Sequence, residues 1–507
     1  MSSRLRILLY AALLALAVIP AVPAGAQGLC DVRVNNTVNK LLQCVTVDGV
    51  REHQATFQAI ADANNGIRTS GTNGYDESAA YVAERMEAAG YDVTVQEFEF
   101  NAFIQTGPST LEQVAPVATL YVEGTDYALM SQTDPGDVTA GVTAVDLDLG
   151  LGNSSTSGCE IEDFVGFPAG NIALMQRGAC SFQLKAENAA ASGAVGAIIF
   201  NQGNADGRFD VINGTLGGEY SGGIPAMFAT YYLGEEWAAT SGLEMHMIAD
   251  VFRGPATTSN VIAETPGGDP NNVVMAGAHL DSVDTGPGIQ DNGSGSAAIL
   301  EVAEQMAGFQ PNNKVRFAWW GAEESGLLGS EHYVGDLSEE EIADIALYLN
   351  FDMIGSPNFV YFIYDGDDSD GVGAGPGPAG SAAIERAFER FYETRSAPYL
   401  GTDFSGRSDY GPFIEVGIPS GGLFTGAEGI KTDEQAAIWG GTAGDQYDPC
   451  YHLACDTFDN ISLEALGMNS DAVAAVVFQF GKSTKSVNGA RVYGAGGETM
   501  AEFHTSR

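Results

Sequence analysis

At 507 residues the chain is too long for one ordinary domain, and an apolar content of 45% is enough for a large buried core. Its formal net charge of −44, from 22 Lys plus Arg against 66 Asp plus Glu, sets a field that repels nucleic acid and anionic membrane surfaces. No nucleic-acid signature accompanies that charge, so nucleic-acid partners are not expected.

The chain opens with a processing signal over 1–26. Arg4 and Arg6 precede an apolar run, Ile7 to Ile19, and Ala24-Gly25-Ala26 offers an A-x-A cleavage site. The run is short for a membrane span, and no second one follows, so stable membrane insertion after cleavage is not expected. The residues before Cys30 suit a lipid anchor poorly. The mature chain is predicted to begin near Gln27 and to be secreted, extracellular or periplasmic. Six cysteines lie beyond the cleavage site, as export allows. Their spacing suggests the local pairs Cys30–Cys44, Cys159–Cys180 and Cys450–Cys455, although six cysteines permit 15 connectivities.

Helices are predicted over Val50–Ala63 and Tyr75–Ala89, the second stopped by Gly90, and Tyr91–Phe100 alternates as a half-buried strand does. From about Gln105 to Phe252 the texture changes to short Val/Ala/Gly-rich strands, with a small-residue helix over Gln183–Gly193 and a buried strand over Ala194–Phe200. An α/β rhythm resumes at Thr258. Strands are expected at Asn260–Thr265, Val273–Ala278, Lys314–Trp320 and Ala346–Phe351, and helices over Ser294–Met306 and from Leu327 to Tyr333. Strands alternating with helices indicate an α/β fold, a mostly parallel or mixed sheet sandwiched by helices. Ser338-Glu-Glu-Glu341 reads as a capped helix start. Asp365–Asp370 reads as an acid-rich loop without EF-hand spacing. No structural reading is made of the Gly-rich tail.

Chemistry concentrates at predicted strand ends. His279 and Asp281 close one strand, Asp291 opens the next helix, Glu323-Glu324 follow Trp319-Trp320, Asp352 follows Phe351, and His452 lies between two cysteines. Ligands of open α/β sheets sit at the carboxyl ends of the strands. Two histidines and three carboxylates suit zinc, with cobalt or manganese as substitutes. Five ligands with one bridging carboxylate serve two metals about 3.5–4 Å apart, a pair that polarises a carbonyl and acidifies a water. A carboxylate off the metals must carry the proton, so adjacent glutamates provide a ligand and a base. Asp281 is placed to accept the other N–H of the His279 ring. The remaining histidines, His53, His246, His332 and His504, read as structural.

The motifs AGAHLDSV, GPGIQDNGSG, GAEESGLLGS, NFDMIG and a late Tyr-His resemble the exported di-zinc aminopeptidases of metallopeptidase family twenty-eight, bacterial leucyl type. The run RGxCxF, K-x-x-N-A, GAxGxIIxN and IPA resembles the protease-associated domain. These resemblances imply a zinc-exopeptidase fold over 27–104 and 256–487, an inserted β-rich protease-associated domain over 105–255, and a tail over 488–507. They imply two Zn2+ per chain, one on His279 and Asp352, the other on Glu324 and His452, with Asp291 bridging. Glu323 is then the general base, Tyr451 an oxyanion donor and Arg407 a substrate-pocket residue. A cis peptide is implied after Asp291, and the substrates are peptides with a free N-terminus.

Rival readings are a di-zinc carboxypeptidase or N-acyl amino acid hydrolase, a single-zinc glutaminyl cyclase, and a non-catalytic receptor-like binder. The first two often carry a lid domain between the Glu pair and the next Asp, whereas here that gap runs only from Glu324 to Asp352. The cyclase and the binder would lack ligands that this chain keeps.

Overall fold

The computed structural model describes Cys30 and residues 33–489. The signal segment, His504 and nearly all of the 488–507 tail lie outside the described residues. The mixed eight-stranded sheet that carries the site is ordered 92–105, 251–264, 313–320, 269–279, 345–351, 420–424, 362–364, 400–402. Its centre is parallel: Asp269–His279 lies between Asn313–Trp320 and Ile345–Phe351, and Ser420–Phe424 continues the run. Antiparallel pairs flank that centre.

Period-two alternation decides what each face meets. Val274, Ala276 and Ala278 point to one side with Val315, Phe317, Trp319, Leu347 and Leu349. There they pack against helices Val47–Ala63, Asn73–Ala89, Gly293–Gln305, Ser381–Arg395 and Leu463–Lys482. Val273 and Met275 point the other way with Trp320 and Tyr348, against Tyr333, Tyr410 and Phe413 of the short helices Leu328–Asp336 and Tyr410–Glu415. Both faces are thus covered, and the central strands read as continuous apolar runs.

The local signals act where the residues allow. Thr46 caps Val47–Ala63 by accepting from Gly49 N, and Gly90 closes Asn73–Ala89 in the left-handed region at φ +86°. Ser338 and Glu341 form the expected capping box of the helix Glu339–Asp344. Strand Asp92–Gln105 runs five residues past the predicted Phe100 end, pairing throughout with Val251–Glu264. Its alternation persists through buried Ala102 and Ile104, and Gly107-Pro108 then ends it. This ribbon leads to a second eight-stranded sheet built between Thr110 and Ala249. That sheet is also covered on both sides: Ala173, Met175, Ile199 and Phe228 face one apolar cluster, and Leu174, Ile198, Phe200 and Met227 face the other. All three locally spaced cysteine pairs are bonded. Among the described residues no helix is long and apolar enough to cross a membrane.

Candidate active site

Three parallel strands deliver their carboxyl ends to one edge. His279 pairs in register with Trp320, so Glu323 and Glu324, just beyond Trp320, emerge beside it. Gly277 pairs with Asn350, which brings Asp352 to the other side. Helix Gly293–Gln305 starts at this edge, with Asn292 as its cap and Asp291 immediately before. The loop closed by Cys450–Cys455 supplies His452 from the far end of the chain.

Asp291 is the shared member. Its Oδ1 lies 3.2 Å from His279 Nε2 and its Oδ2 3.2 Å from His452 Nε2. Asp352 Oδ1 lies 3.3 Å from His279 Nε2, and Glu324 Oε2 3.1 Å from His452 Nε2. Three donor groups overlap here, two of them, His279/Asp291/Asp352 and Asp291/Glu324/His452, sharing Asp291, and the third being His279/Glu323/Glu324. Glu323 Oε2 stands back at 3.8 Å from His279 Nε2.

The donor set fits metal ions. Asp352 Oδ1 and Glu324 Oε1 are buried with no hydrogen-bond partner, a costly arrangement unless a cation takes them. Burial alone would lower the His452 imidazole, yet Glu324 and Asp291 drive it up to about 11, so the site strongly favours positive charge. Burial above all, with Glu324 and Asp352 adding to it against His279, raises Glu323 well above the carboxylate range.

A layer of hydrogen bonds fixes these groups. Asp456 accepts from the backbone N–H of Asp291 at 3.0 Å and of Gln290 at 2.8 Å. Asn292 Oδ1 accepts from Gly295 N and Met353 N, and its Nδ2 donates to Phe351 O, tying the start of the helix to the strand end that carries Asp352. Ser408 Oγ donates to Asp352 Oδ2 at 2.7 Å. The Asp281 carboxylate accepts from Glu323 N and Glu324 N, and it lies 3.6 Å from His279 Nδ1; the nearer acceptor for that nitrogen is the Asp281 carbonyl, at 3.2 Å. The Asp291–Asn292 peptide is cis.

Arg68 has no sequence signal beyond lying in a loop, yet it is fully buried. Its guanidinium donates to the carbonyls of Leu280, Pro287 and Gly288, holding the loop between His279 and Asp291. Arg68, Asn292, Ser408 and Asp456 are invisible as site residues in the sequence because their partners are distant along the chain.

Tyr451 stacks on His452 with ring centres 3.8 Å apart. Its hydroxyl accepts from Arg407 Nη2 at 3.2 Å, and Arg407 Nη1 donates to Glu428 at 2.7 Å. Arg407 is exposed and sits at the mouth rather than on the floor. Two cavities meet at Met353, Arg407 and Tyr451. One, of about 520 Å³, contains Asp291, Glu323, Glu324 and His452. The other, of about 270 Å³, is walled by Met353, Tyr364, Tyr410, Phe424 and Tyr447.

Residues 260–477 match the profile of peptidase family M28, and residues 138–237 match that of the PA domain. An aminopeptidase of Pseudomonas aeruginosa is 55% identical over 88% of this chain and 83% of its own. A probable lipoprotein aminopeptidase of Mycobacterium tuberculosis is 42% identical over 88% and 87%. The structure of a zinc aminopeptidase from Bacillus subtilis superposes with a TM-score of 0.62 at 27% identity, covering 88% of this chain and 98% of that one.

Proposed function

Because the chain belongs to peptidase family M28, we propose that it is a secreted zinc-dependent aminopeptidase, releasing single residues from the free N-termini of peptides. The observation that carries this reading is the pair of donor groups sharing Asp291, with Glu323 Oε2 farther from His279 Nε2, at 3.8 Å, than Asp291 at 3.2 Å or Asp352 at 3.3 Å. Two zinc ions bound there would supply polarisation of the scissile carbonyl and an acidified water.

The chain's own residues do the rest. Glu323 takes the proton from the attacking water and returns it to the departing amine. Arg407 donates to the Tyr451 phenol oxygen, leaving the phenol proton free to turn toward the oxyanion that develops on the substrate. Glu331 and Glu415, which line the larger cavity and hold no metal, favour a free amino group over an acetylated nitrogen. The smaller aromatic-walled cavity receives the N-terminal side chain, and its walls favour an apolar one. Export is supported by the leader sequence and the three disulfides.

The test is release of p-nitroaniline from free and N-acetylated aminoacyl substrates, with and without a zinc chelator. Hydrolysis of free leucyl substrate alone, abolished by chelator and restored by zinc, is expected. Preferential cleavage of acetylated or carboxyl-terminal substrates would overturn the reading.

A further inference from the structure

A second cluster of donors lies apart from the active site, on the helical face of the sheet. His53 of helix Val47–Ala63 faces Glu301 and Glu304 of helix Gly293–Gln305, with side-chain exposures of 3%, 5% and 15%. His53 Nδ1 is engaged by the Tyr81 hydroxyl at 2.8 Å. That leaves Nε2 aimed between Glu301 Oε2, at 3.9 Å, and Glu304 Oε2, at 3.8 Å. Both separations exceed a hydrogen bond. They span a gap that an ion with ligand distances of about 2.0–2.2 Å fills.

Three further observations describe a built site. Glu301 Oε1 is anchored by Thr46 N, so its other oxygen is the one presented to His53. Gly49 lies inside a helix, where glycine is unfavourable, and a Cβ there would sit 2.4 Å from Glu301 Oε1, so the glycine admits the carboxylate. Arg85 pairs with both oxygens of Glu304, its Nη2 donating to Oε2 at 2.6 Å, so an ion on Oε2 shares that oxygen with the guanidinium.

We propose that His53, Glu301 and Glu304 hold a further, non-catalytic divalent metal ion of the zinc class, fastening an N-terminal helix to the helix that follows Asp291. A water on the Glu304 side completes four-coordination. This proposal does not depend on the aminopeptidase reading, because it is read by counting metal.

The mature chain would be saturated with zinc, desalted and analysed for zinc per chain by mass spectrometry. His53→Gln and Glu301→Gln are each expected to hold one equivalent fewer than the wild type, with hydrolysis of leucyl p-nitroanilide within about twofold of it. Should either variant fail to fold, a His279→Ala/His452→Ala chain decides, since it keeps one tightly bound equivalent through this site and none without it. Equal zinc in the wild type and both variants, or no zinc in the double variant, overturns the proposal.

Discussion

Glu323 is the residue whose role separates most cleanly from that of its neighbour. Glu323→Gln keeps the shape and removes the proton acceptor, so kcat is predicted to fall about 10²–10⁴-fold with zinc per chain unchanged. Steady-state kinetics beside metal analysis checks both halves, and a loss of zinc would make Glu323 a ligand instead. Asn292 tests the supporting layer. Its amide joins Gly295 N, Met353 N and Phe351 O, so Asn292→Ala loosens the link between Asp291 and Asp352. Zinc affinity measured by chelator competition should drop about 10–100-fold, the usual effect of losing a group that orients a ligand. His279, the Glu pair and Asp352 stand out in the sequence because each ends or follows an apolar strand, Asp291 because it opens a small-residue helix, and His452 only through the resemblance of the late Tyr-His motif. Their supports were not: Asp456 binds a backbone 165 residues away, and Arg68 reaches carbonyls more than 200 residues on.

At the level of elements, the loop closed by Cys450–Cys455 matters for what it carries rather than for stability. Its cysteines are five residues apart, and loop closure that short contributes only about 2 kcal/mol. Cys450→Ser/Cys455→Ser should therefore stay folded by circular dichroism while its turnover falls about tenfold, because Tyr451 and His452 lose their fixed approach. Undiminished turnover would show that packing alone orients the loop. Element types were readable from periodicity, since 273–278 is an uninterrupted apolar run and 314–320 alternates Lys314 and Arg316 with apolar residues before Phe317–Trp320, with a small-residue helix between. Their ends were harder to read: strand Asp269–His279 starts in polar Asp-Pro-Asn-Asn, where Asp269 pairs with Asn313 and the register shifts before Val273 pairs with Lys314.

Across the whole molecule, the change of texture near residue 105 marks where the second sheet begins, but not that a 14-residue antiparallel ribbon leads to it. Within the second sheet's domain lies a buried charge, Lys185, which donates to Ser157 O beside the Cys159–Cys180 bridge. Burial lowers its ammonium from the ordinary 10.5 to about 8. Between those two values the unfolded chain holds a proton that the folded chain has released, so stability rises with pH from 8 to 10.5, and below 8 the full cost of burial applies. The melting temperature of the wild type relative to Lys185→Met is thus expected to be higher at pH 9.5 than at pH 7.5, as scanning calorimetry would show. At this scale too lies the central claim, that two metal-binding groups joined by Asp291 shorten peptides from the amino end. The direct measurement is intact-mass analysis of one defined decapeptide and its N-acetylated twin, incubated with zinc-loaded, chelator-stripped and Glu323→Gln protein. Stepwise loss of N-terminal residues from the free peptide alone, and with zinc-loaded wild type alone, is the predicted result. Trimming of the acetylated peptide, loss from the carboxyl end, or equal trimming by stripped protein would contradict it.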